Sequence, residues 1–212
     1  MHKKYFSEFF GTLALLSVIT GSGIMGQALG QGNNAIALLA NSIATGAGLY
    51  VLITILGPIS GAHFNPLVSV MAYRLKQLKQ RDLLSYIASQ ITGAIAGVCI
   101  THLMFSLPIM QTSTKIRTGL GIWVSELIAT LILLTVIYLG LKYAKKHIAM
   151  LVALTVTAGY WFTSSTFFCN PAVTLARSLT DTFVGIAPQN ILGFVLAQLF
   201  ALVIFMRSIT LK

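Results

Sequence analysis

The sequence predicts an all-α membrane protein with six transmembrane helices and two re-entrant half-helices, arranged as an inverted repeat within one domain over residues 1–212. Three observations support this fold class. First, 56% of the residues are hydrophobic and only 8% are charged, whereas a soluble domain of this length needs far more polar surface. Second, six apolar runs approach the roughly 20 residues that a spanning helix requires. Third, the two halves of the chain resemble each other.

The predicted spans follow one another with short connections. The six apolar runs lie near residues 5–28, 35–57, 83–106, 120–141, 148–168 and 191–209. Two shorter segments, about 65–75 and 170–179, each begin with Asn-Pro and are too short to cross a bilayer. We therefore expect these two segments to be half-helices that enter the membrane without crossing it.

Basic residues set the predicted orientation, because Lys and Arg are enriched in cytoplasmic loops. The net charge of +10 would suit nucleic acid, but the basic residues lie in short loops and tails and not along one amphipathic face. With both termini inside, 11 of the 14 basic residues are cytoplasmic: Lys3, Lys4, Arg74, Lys76, Lys79, Arg81, Lys142, Lys145, Lys146, Arg207 and Lys212. The sequence thus predicts a multi-pass protein of the inner or plasma membrane, with both termini cytoplasmic, lipid as a partner and no nucleic acid.

An internal repeat supports the arrangement of the spans. The Ser-Glu pair at 7–8 matches the pair at 125–126, and the Asn-Pro pair at 65–66 matches the pair at 170–171. The two repeats cover approximately residues 1–106 and 120–212. Each repeat holds three spans, so the second is inserted upside down relative to the first. Inverted repeats of this kind bring their broken helices together near the middle of the membrane.

The two Asn-Pro pairs predict helix starts inside the membrane. Asparagine is a strong N-cap, and proline suits the next position, where no backbone N–H is needed. With the amide oxygens of Asn65 and Asn170 occupied as caps, we expect both side-chain NH2 groups to be free to point inward. Two donors backed by two helix dipoles would attract an acceptor oxygen and repel a cation.

The residues before each Asn are predicted to be non-helical. Irregular backbone at this depth is tolerated where it lines a water-filled path, so its carbonyl groups would supply acceptors along that path. The carbonyls expected to line it are those of Gly61, Ala62, His63, Thr166 and Phe168. A path with donors in the middle and acceptors on the approach suits small neutral molecules and opposes cations.

Enzymatic and metal chemistry find little support in the sequence. Cys99 and Cys169 lie in apolar surroundings and indicate neither a disulfide framework nor a metal site. His63 has no second ligand at a suitable spacing and is expected to be a structural hydrogen-bonding residue. Because the sequence also has no nucleophile–base pair and no glycine-rich phosphate loop, we expect no cofactor and no enzymatic activity.

Several motifs together resemble a known family. The stretches SGAHFNP and CNPAV, the six spans and the paired glutamates are similar to the major intrinsic proteins, the aquaporins and aquaglyceroporins. By this resemblance, Asn65 and Asn170 form a central pore constriction, and Glu8 and Glu126 are buried acids that accept hydrogen bonds from loop backbone. A role for these glutamates as a proton relay in a coupled transporter is the rival interpretation. The resemblance also implies a homotetramer with one pore in each subunit.

Two positions depart from the family pattern. The first motif reads Asn65-Pro66-Leu67, where the family usually has alanine third, and a leucine would either tilt the half-helices or be absorbed by local repacking. The second motif is followed by Val173, where water channels and most glycerol channels have an arginine. A small apolar side chain thus replaces a cationic donor at the predicted outer constriction.

Family spacing places the rest of the selectivity filter. The resemblance implies a filter of Thr45, Ala158, Phe167 and Val173, with Thr157 or Gly159 as alternatives to Ala158. Arg177 lies four positions after Val173, on the same helical face. It is either a displaced filter arginine that reaches back to the pore or a residue at the mouth that pairs with Asp181.

The predicted function is passive passage of small uncharged solutes through a wide filter without arginine at its usual place. The expected solutes are water, glycerol, urea and metalloid hydroxides such as arsenous acid, because the valine filter resembles bacterial aquaglyceroporins found with arsenic-resistance genes. An ammonia or gas pore and a water-selective pore are the alternatives, followed by a proton-coupled transporter.

Overall fold

The computed structural model describes residues 2–210, which form eight α-helices. Their bounds are α1 His2–Leu29, α2 Asn34–Ser60, α3 Pro66–Arg74, α4 Gln80–Met104, α5 Leu120–Tyr143, α6 Ile148–Phe162, α7 Pro171–Ala176 and α8 Ile191–Thr210. Short 3₁₀ turns precede α6 and α8 and follow α7. The all-helical membrane fold predicted from the sequence is confirmed. Lys212, counted above among the cytoplasmic charges, lies outside the described residues, as does Met1.

Five described helices, namely α1, α2, α4, α5 and α8, are long and apolar enough to cross a membrane. The sixth predicted span, 148–168, is shorter than expected, because α6 ends at Phe162 after 15 residues. Its last predicted residues form the irregular segment that leads to Asn170, and Thr166 and Phe167 there have positive φ angles of 59° and 55°. The two short predicted segments correspond to α3 and to α7 with its 3₁₀ extension, Arg177–Leu179.

Small residues let the long helices approach closely. A Cβ atom added at Gly93 of α4 would lie 2.3 Å from the carbonyl oxygen of Phe9 in α1, and one added at Gly97 would lie 2.3 Å from that of Leu13. Side chains larger than hydrogen would therefore separate α1 from α4. Glycine at helix contacts is a common means of close packing in membranes.

The half-helices α3 and α7 are enclosed by the long helices, and their N-termini meet inside the protein. Leu67 of α3 is 1% exposed and packs in an apolar cluster with Met71, Leu134, Leu202 and Phe205. The leucine that departs from the family pattern is thus accommodated by side chains of α5 and α8. Its backbone N–H still donates to the Asn65 side chain, so the helix start is unchanged.

Candidate functional site

Both Asn-Pro pairs begin helices in the interior. The Oδ1 atom of Asn65 accepts a 2.9 Å hydrogen bond from the N–H of Leu67, and that of Asn170 accepts from the N–H groups of Ala172 and Val173, at 3.0 and 3.4 Å. Each Asn has an extended backbone, and a proline occupies the first turn. These are the N-caps that the sequence predicts.

The side-chain NH2 groups are not entirely free, which corrects the expectation stated above. Nδ2 of Asn65 donates to the carbonyl oxygen of Cys169 at 2.7 Å, and Nδ2 of Asn170 donates to that of Phe64 at 2.7 Å. Each Asn therefore binds the residue that immediately precedes the other Asn. A primary amide has two hydrogens, so one donor on each side chain remains for the interior.

The segments before the two Asn residues share an unusual backbone. Ala62 and Phe64 have φ angles of 50° and 48°, and Phe167 and Cys169 have φ angles of 55° and 50°. These residues stand three and one positions before their Asn in both halves. Left-handed conformations cost about 1–2 kcal/mol for each non-glycine residue, so other contacts must stabilise them.

Glu8 supplies such contacts in the first half. Its carboxylate accepts from the backbone N–H groups of His63 and Phe64, at 3.0 and 2.8 Å, and from Nε2 of Gln90 at 2.8 Å. Nδ1 of His63 lies 3.0 Å from the hydroxyl of Ser69, so its ring takes part in hydrogen bonding within the same half. Glu8 is fully buried, and each of its oxygens has a partner.

Glu126 occupies the matching position in the second half. Its Oε1 accepts from the N–H of Cys169 at 2.5 Å and from Nε2 of Gln198 at 2.7 Å. Among the described residues, Oε2 of Glu126 has no partner that meets hydrogen-bond geometry. The Ser165 hydroxyl and the backbone N–H of Phe168 also face this carboxylate, so the second glutamate is held by less regular hydrogen bonds than the first. Gln90 and Gln198 were not identified from the sequence, although a glutamine inside an apolar run is the signal that could have found them.

One cavity of about 880 Å³ passes both Asn residues. At one end it is lined by basic residues, including Lys4, Lys79, Arg81, Lys145 and Lys146. Of the residues whose carbonyls were expected to line the path, Gly61, Ala62, His63 and Phe168 line this cavity. Thr166 does not, and its hydroxyl instead lies 3.5 Å from a guanidinium nitrogen of Arg117.

At the other end, the cavity is lined by Thr45, Phe167 and Val173, three of the residues expected to form the filter. Ala158 is a wrong assignment, because it lies on the exposed face of α6 and not on the face that lines the cavity. Tyr160 occupies the expected place, and its hydroxyl lies 3.2 Å from that of Thr45. Tyr160 and Phe168 line the cavity in addition to Phe167, so this end is more aromatic than the single ring expected.

Thr157 and Gly159, the alternatives to Ala158, do not line the cavity either. The hydroxyl of Thr157 donates to the carbonyl of Ala153 within the same helix, at 3.0 Å. Gly159 lies beneath the ring of Phe167, where an added Cβ would come within 2.2 Å of a ring carbon. Its lack of a side chain leaves space for Phe167 to reach the cavity.

Arg177 lines the same end of the cavity and is 2% exposed. Its Nε donates to the carbonyl oxygen of Val184, and its guanidinium carbon lies 3.6 Å from the centre of the Phe168 ring. The expected alternative, a pair with Asp181, is wrong. Asp181 is exposed and accepts from the N–H and hydroxyl of Thr114, at 2.8 and 3.0 Å.

Comparison with known proteins gives the family. The model of the major intrinsic protein family matches residues 1–160. The chain belongs to the major intrinsic protein family. It is 49% identical over 197 residues to aquaglyceroporin AqpS of Rhizobium meliloti, covering 93% of this chain and 84% of that protein. It is also 35% identical over 106 residues to aquaporin Z of Brucella melitensis, covering 50% of this chain and 46% of that one.

The fold agrees with this membership. The structure superposes on the X-ray structure of the aquaglyceroporin from Plasmodium falciparum with a TM-score of 0.75, covering 97% of this chain and 94% of that one at 20% identity. As a major intrinsic protein, the chain is a multi-pass membrane channel for small neutral solutes and not an enzyme. Within residues 2–210 there is no group of three or more His, Cys, Asp or Glu that could hold a metal ion.

Proposed function

We propose that this channel passively conducts water, glycerol, urea and metalloid hydroxides such as arsenous acid, with Asn65 and Asn170 as its central constriction. The observation that carries the proposal is the cavity itself, which touches both Asn side chains and continues to Arg177. Each amide keeps one hydrogen available for a passing hydroxyl oxygen. A cation at the same point would meet two donor groups and the positive ends of α3 and α7.

The outer filter in this proposal consists of Thr45, Tyr160, Phe167 and Val173, with Arg177 as a displaced filter arginine. Two aromatic rings provide apolar walls for a carbon skeleton, and the hydroxyl groups of Thr45 and Tyr160 provide polar contacts on one side. Valine in place of arginine leaves space beside Phe167. The filter therefore suits polyols and uncharged hydroxides more than water alone, which agrees with the name aquaglyceroporin borne by the relative from Rhizobium meliloti.

Glu8 and Glu126 act in this proposal as structural acids that hold the pore loops. Within residues 2–210, their carboxylates face backbone N–H groups, glutamine amides and the Ser165 hydroxyl, and make no hydrogen bond to a second titratable side chain. This arrangement supports loop anchoring over the proton relay of a coupled transporter. We also propose that residues 1–212 form one domain of two inverted repeats, with both termini cytoplasmic, and that four copies assemble with one pore each.

The test is stopped-flow light scattering on purified protein in liposomes, with water, glycerol, urea, ammonia and arsenous acid as separate solutes. We expect rapid, non-saturating and bidirectional flux of glycerol, urea and arsenous acid that an imposed proton gradient does not change. Flux of water or ammonia alone would contradict the proposed filter. Uphill uptake driven by protons would contradict passive transport.

A further inference from the structure

A second arginine lies close to Arg177 but does not itself line the cavity. It stands on a segment that neither Asn-Pro motif contains. Arg117 belongs to the connection between α4 and α5. Its Nε donates to the carbonyl of Gly185 at 2.8 Å, a terminal nitrogen lies 3.4 Å from that of Phe183, and the other lies 3.5 Å from the Thr166 hydroxyl. Its guanidinium carbon is 5.4 Å from the centre of the Phe168 ring.

Arg117 and Arg177 share their supports. Arg177 binds the carbonyl of Val184, which lies between the two residues whose carbonyls Arg117 contacts. Both guanidinium carbons also lie within cation–π distance of the Phe168 ring centre, at 5.4 Å for Arg117 and 3.6 Å for Arg177. Carbonyl oxygens and an aromatic face stabilise a guanidinium without neutralising its charge.

No carboxylate in residues 2–210 forms an ion pair with either arginine, although Glu126 is near enough to act on both charges. The chain has four acidic residues. Glu8 and Glu126 bind the pore loops, Asp82 pairs with Lys4, and Asp181 accepts from Thr114. Two guanidinium groups without an ion-pair partner therefore stand close together, with Arg177 buried and Arg117 half-buried. Charges interact more strongly in such partly desolvated surroundings than in bulk water.

We propose that Arg117 is a specificity-determining residue of the outer constriction and that it excludes cations together with Arg177. Val173 carries no charge, so the guanidinium groups of Arg117 and Arg177 together supply the positive potential that a filter arginine at position 173 would otherwise provide. This inference rests on the proposed function of the site as a channel for uncharged solutes. Arg117 acts through its charge, and the hydrogen bonds to Phe183 and Gly185 hold it in place.

The test compares glycerol flux and K⁺ leak in the same proteoliposomes for Arg117→Met, Arg177→Met and the double variant. We expect each single variant to leak K⁺ roughly tenfold faster than the wild type, because each loses a unit charge within about 10 Å of the path. The double variant should leak more than either single variant. Unchanged K⁺ leak in Arg117→Met with normal glycerol flux would overturn this inference alone, whereas absent glycerol flux in the wild type would overturn the proposed function.

Two further variants separate charge from loop anchoring. Arg117→Lys keeps the charge and should retain most of the K⁺ exclusion. Arg117→Gln keeps hydrogen-bond donors without the charge and should leak K⁺ as Arg117→Met does. K⁺ exclusion in Arg117→Gln but not in Arg117→Lys would assign Arg117 a purely structural role. Lys115→Met is the matched control, because Lys115 lies on the same connection and donates to Phe183 but makes no contact with Phe168. An equal leak in Lys115→Met would mean that general surface charge, and not Arg117, sets cation exclusion.

Discussion

The side-chain amide of Asn65 donates a 2.7 Å hydrogen bond to the carbonyl oxygen of Cys169, the residue before Asn170. The mirror contact, from Asn170 to Phe64, has the same length. Each Asn therefore caps its own half-helix with its oxygen and binds the opposite half with its nitrogen. The proposed central constriction is therefore held from both halves by the same two side chains, and its width depends on both.

Replacing Asn170 by Asp should damage the constriction while keeping the helix cap. The new carboxylate still accepts from Ala172, but it turns an oxygen towards the Phe64 carbonyl and adds a negative charge beside the lumen. A buried group left without its partner costs about 1–3 kcal/mol. We expect a lower unfolding temperature in detergent and a K⁺ conductance absent from the wild type, measured in planar bilayers. Asn65→Asp should behave in the same way, and a variant with normal stability and no conductance would refute the reciprocal arrangement.

The two buried glutamates should differ in their tolerance of Glu→Gln. Both oxygens of Glu8 accept hydrogen bonds, so an amide nitrogen there would face a donor. Oε2 of Glu126 makes no hydrogen bond of normal geometry, so its exchange for nitrogen should cost less. Loss of one hydrogen bond to a charged group costs about 1.5–3 kcal/mol. We therefore expect Glu8→Gln to lower the thermal midpoint clearly more than Glu126→Gln. Equal losses would show that the two halves are held alike.

Leu67→Ala restores the usual third residue of the motif and should destabilise this protein. Leu67 is 1% exposed within the cluster that includes Met71 and Leu134, and removing such a side chain costs about 2–5 kcal/mol. Because the cap on Asn65 uses only the backbone of residue 67, glycerol flux per folded channel should be unchanged. Thermal denaturation and proteoliposome flux on the same sample give both quantities. Altered flux would mean that Leu67 shapes the pore.

The sequence predicts the helices and the two caps well, because each depends on local chemistry: a long apolar run, or an Asn followed by Pro. It fails at Ala158, because the assignment relied on counting back from Asn170 through an irregular segment. That segment contains two successive positive-φ residues, Thr166 and Phe167, so residue spacing there no longer gives the facing side chain. Arg117 was missed for a similar reason. It lies on a connection that has no motif, and its contacts are with residues distant in the sequence.

Tyr160→Leu tests which residue of α6 faces the filter. Removing the ring and its hydroxyl should widen the outer end of the cavity. A site that fits its solute closely discriminates roughly tenfold between solutes that differ by one carbon unit. We expect the flux of a four-carbon polyol relative to glycerol to rise by about that factor. Ala158→Phe is the matched control, because its larger side chain would point away from the cavity and should leave both fluxes unchanged. Blocked flux in Ala158→Phe would return Ala158 to the filter.

The outer connection should loosen at low pH through Asp181. Hydrogen bonds from the N–H and hydroxyl of Thr114 hold the pKa of the Asp181 carboxyl below its ordinary value of 3.8, with a smaller contribution from Lys115. Because the pKa is lowered in the folded protein, the ionised carboxylate stabilises the connection fully at pH values above the ordinary pKa. This stabilisation is lost as the pH falls through the lowered pKa of the folded protein. Hydrogen–deuterium exchange at Thr114, corrected for intrinsic rate, should accelerate below about pH 4. Asp181→Ala should exchange rapidly at every pH, and unchanged protection in that variant would remove the effect.

Electron cryo-microscopy of the protein in lipid nanodiscs with glycerol present tests the central claim most directly. We predict density for water or glycerol in a continuous lumen, within about 3 Å of the side-chain nitrogen of both Asn65 and Asn170. A lumen interrupted at these residues, or amides that face away from the solute density, would contradict a channel centred on the two half-helices.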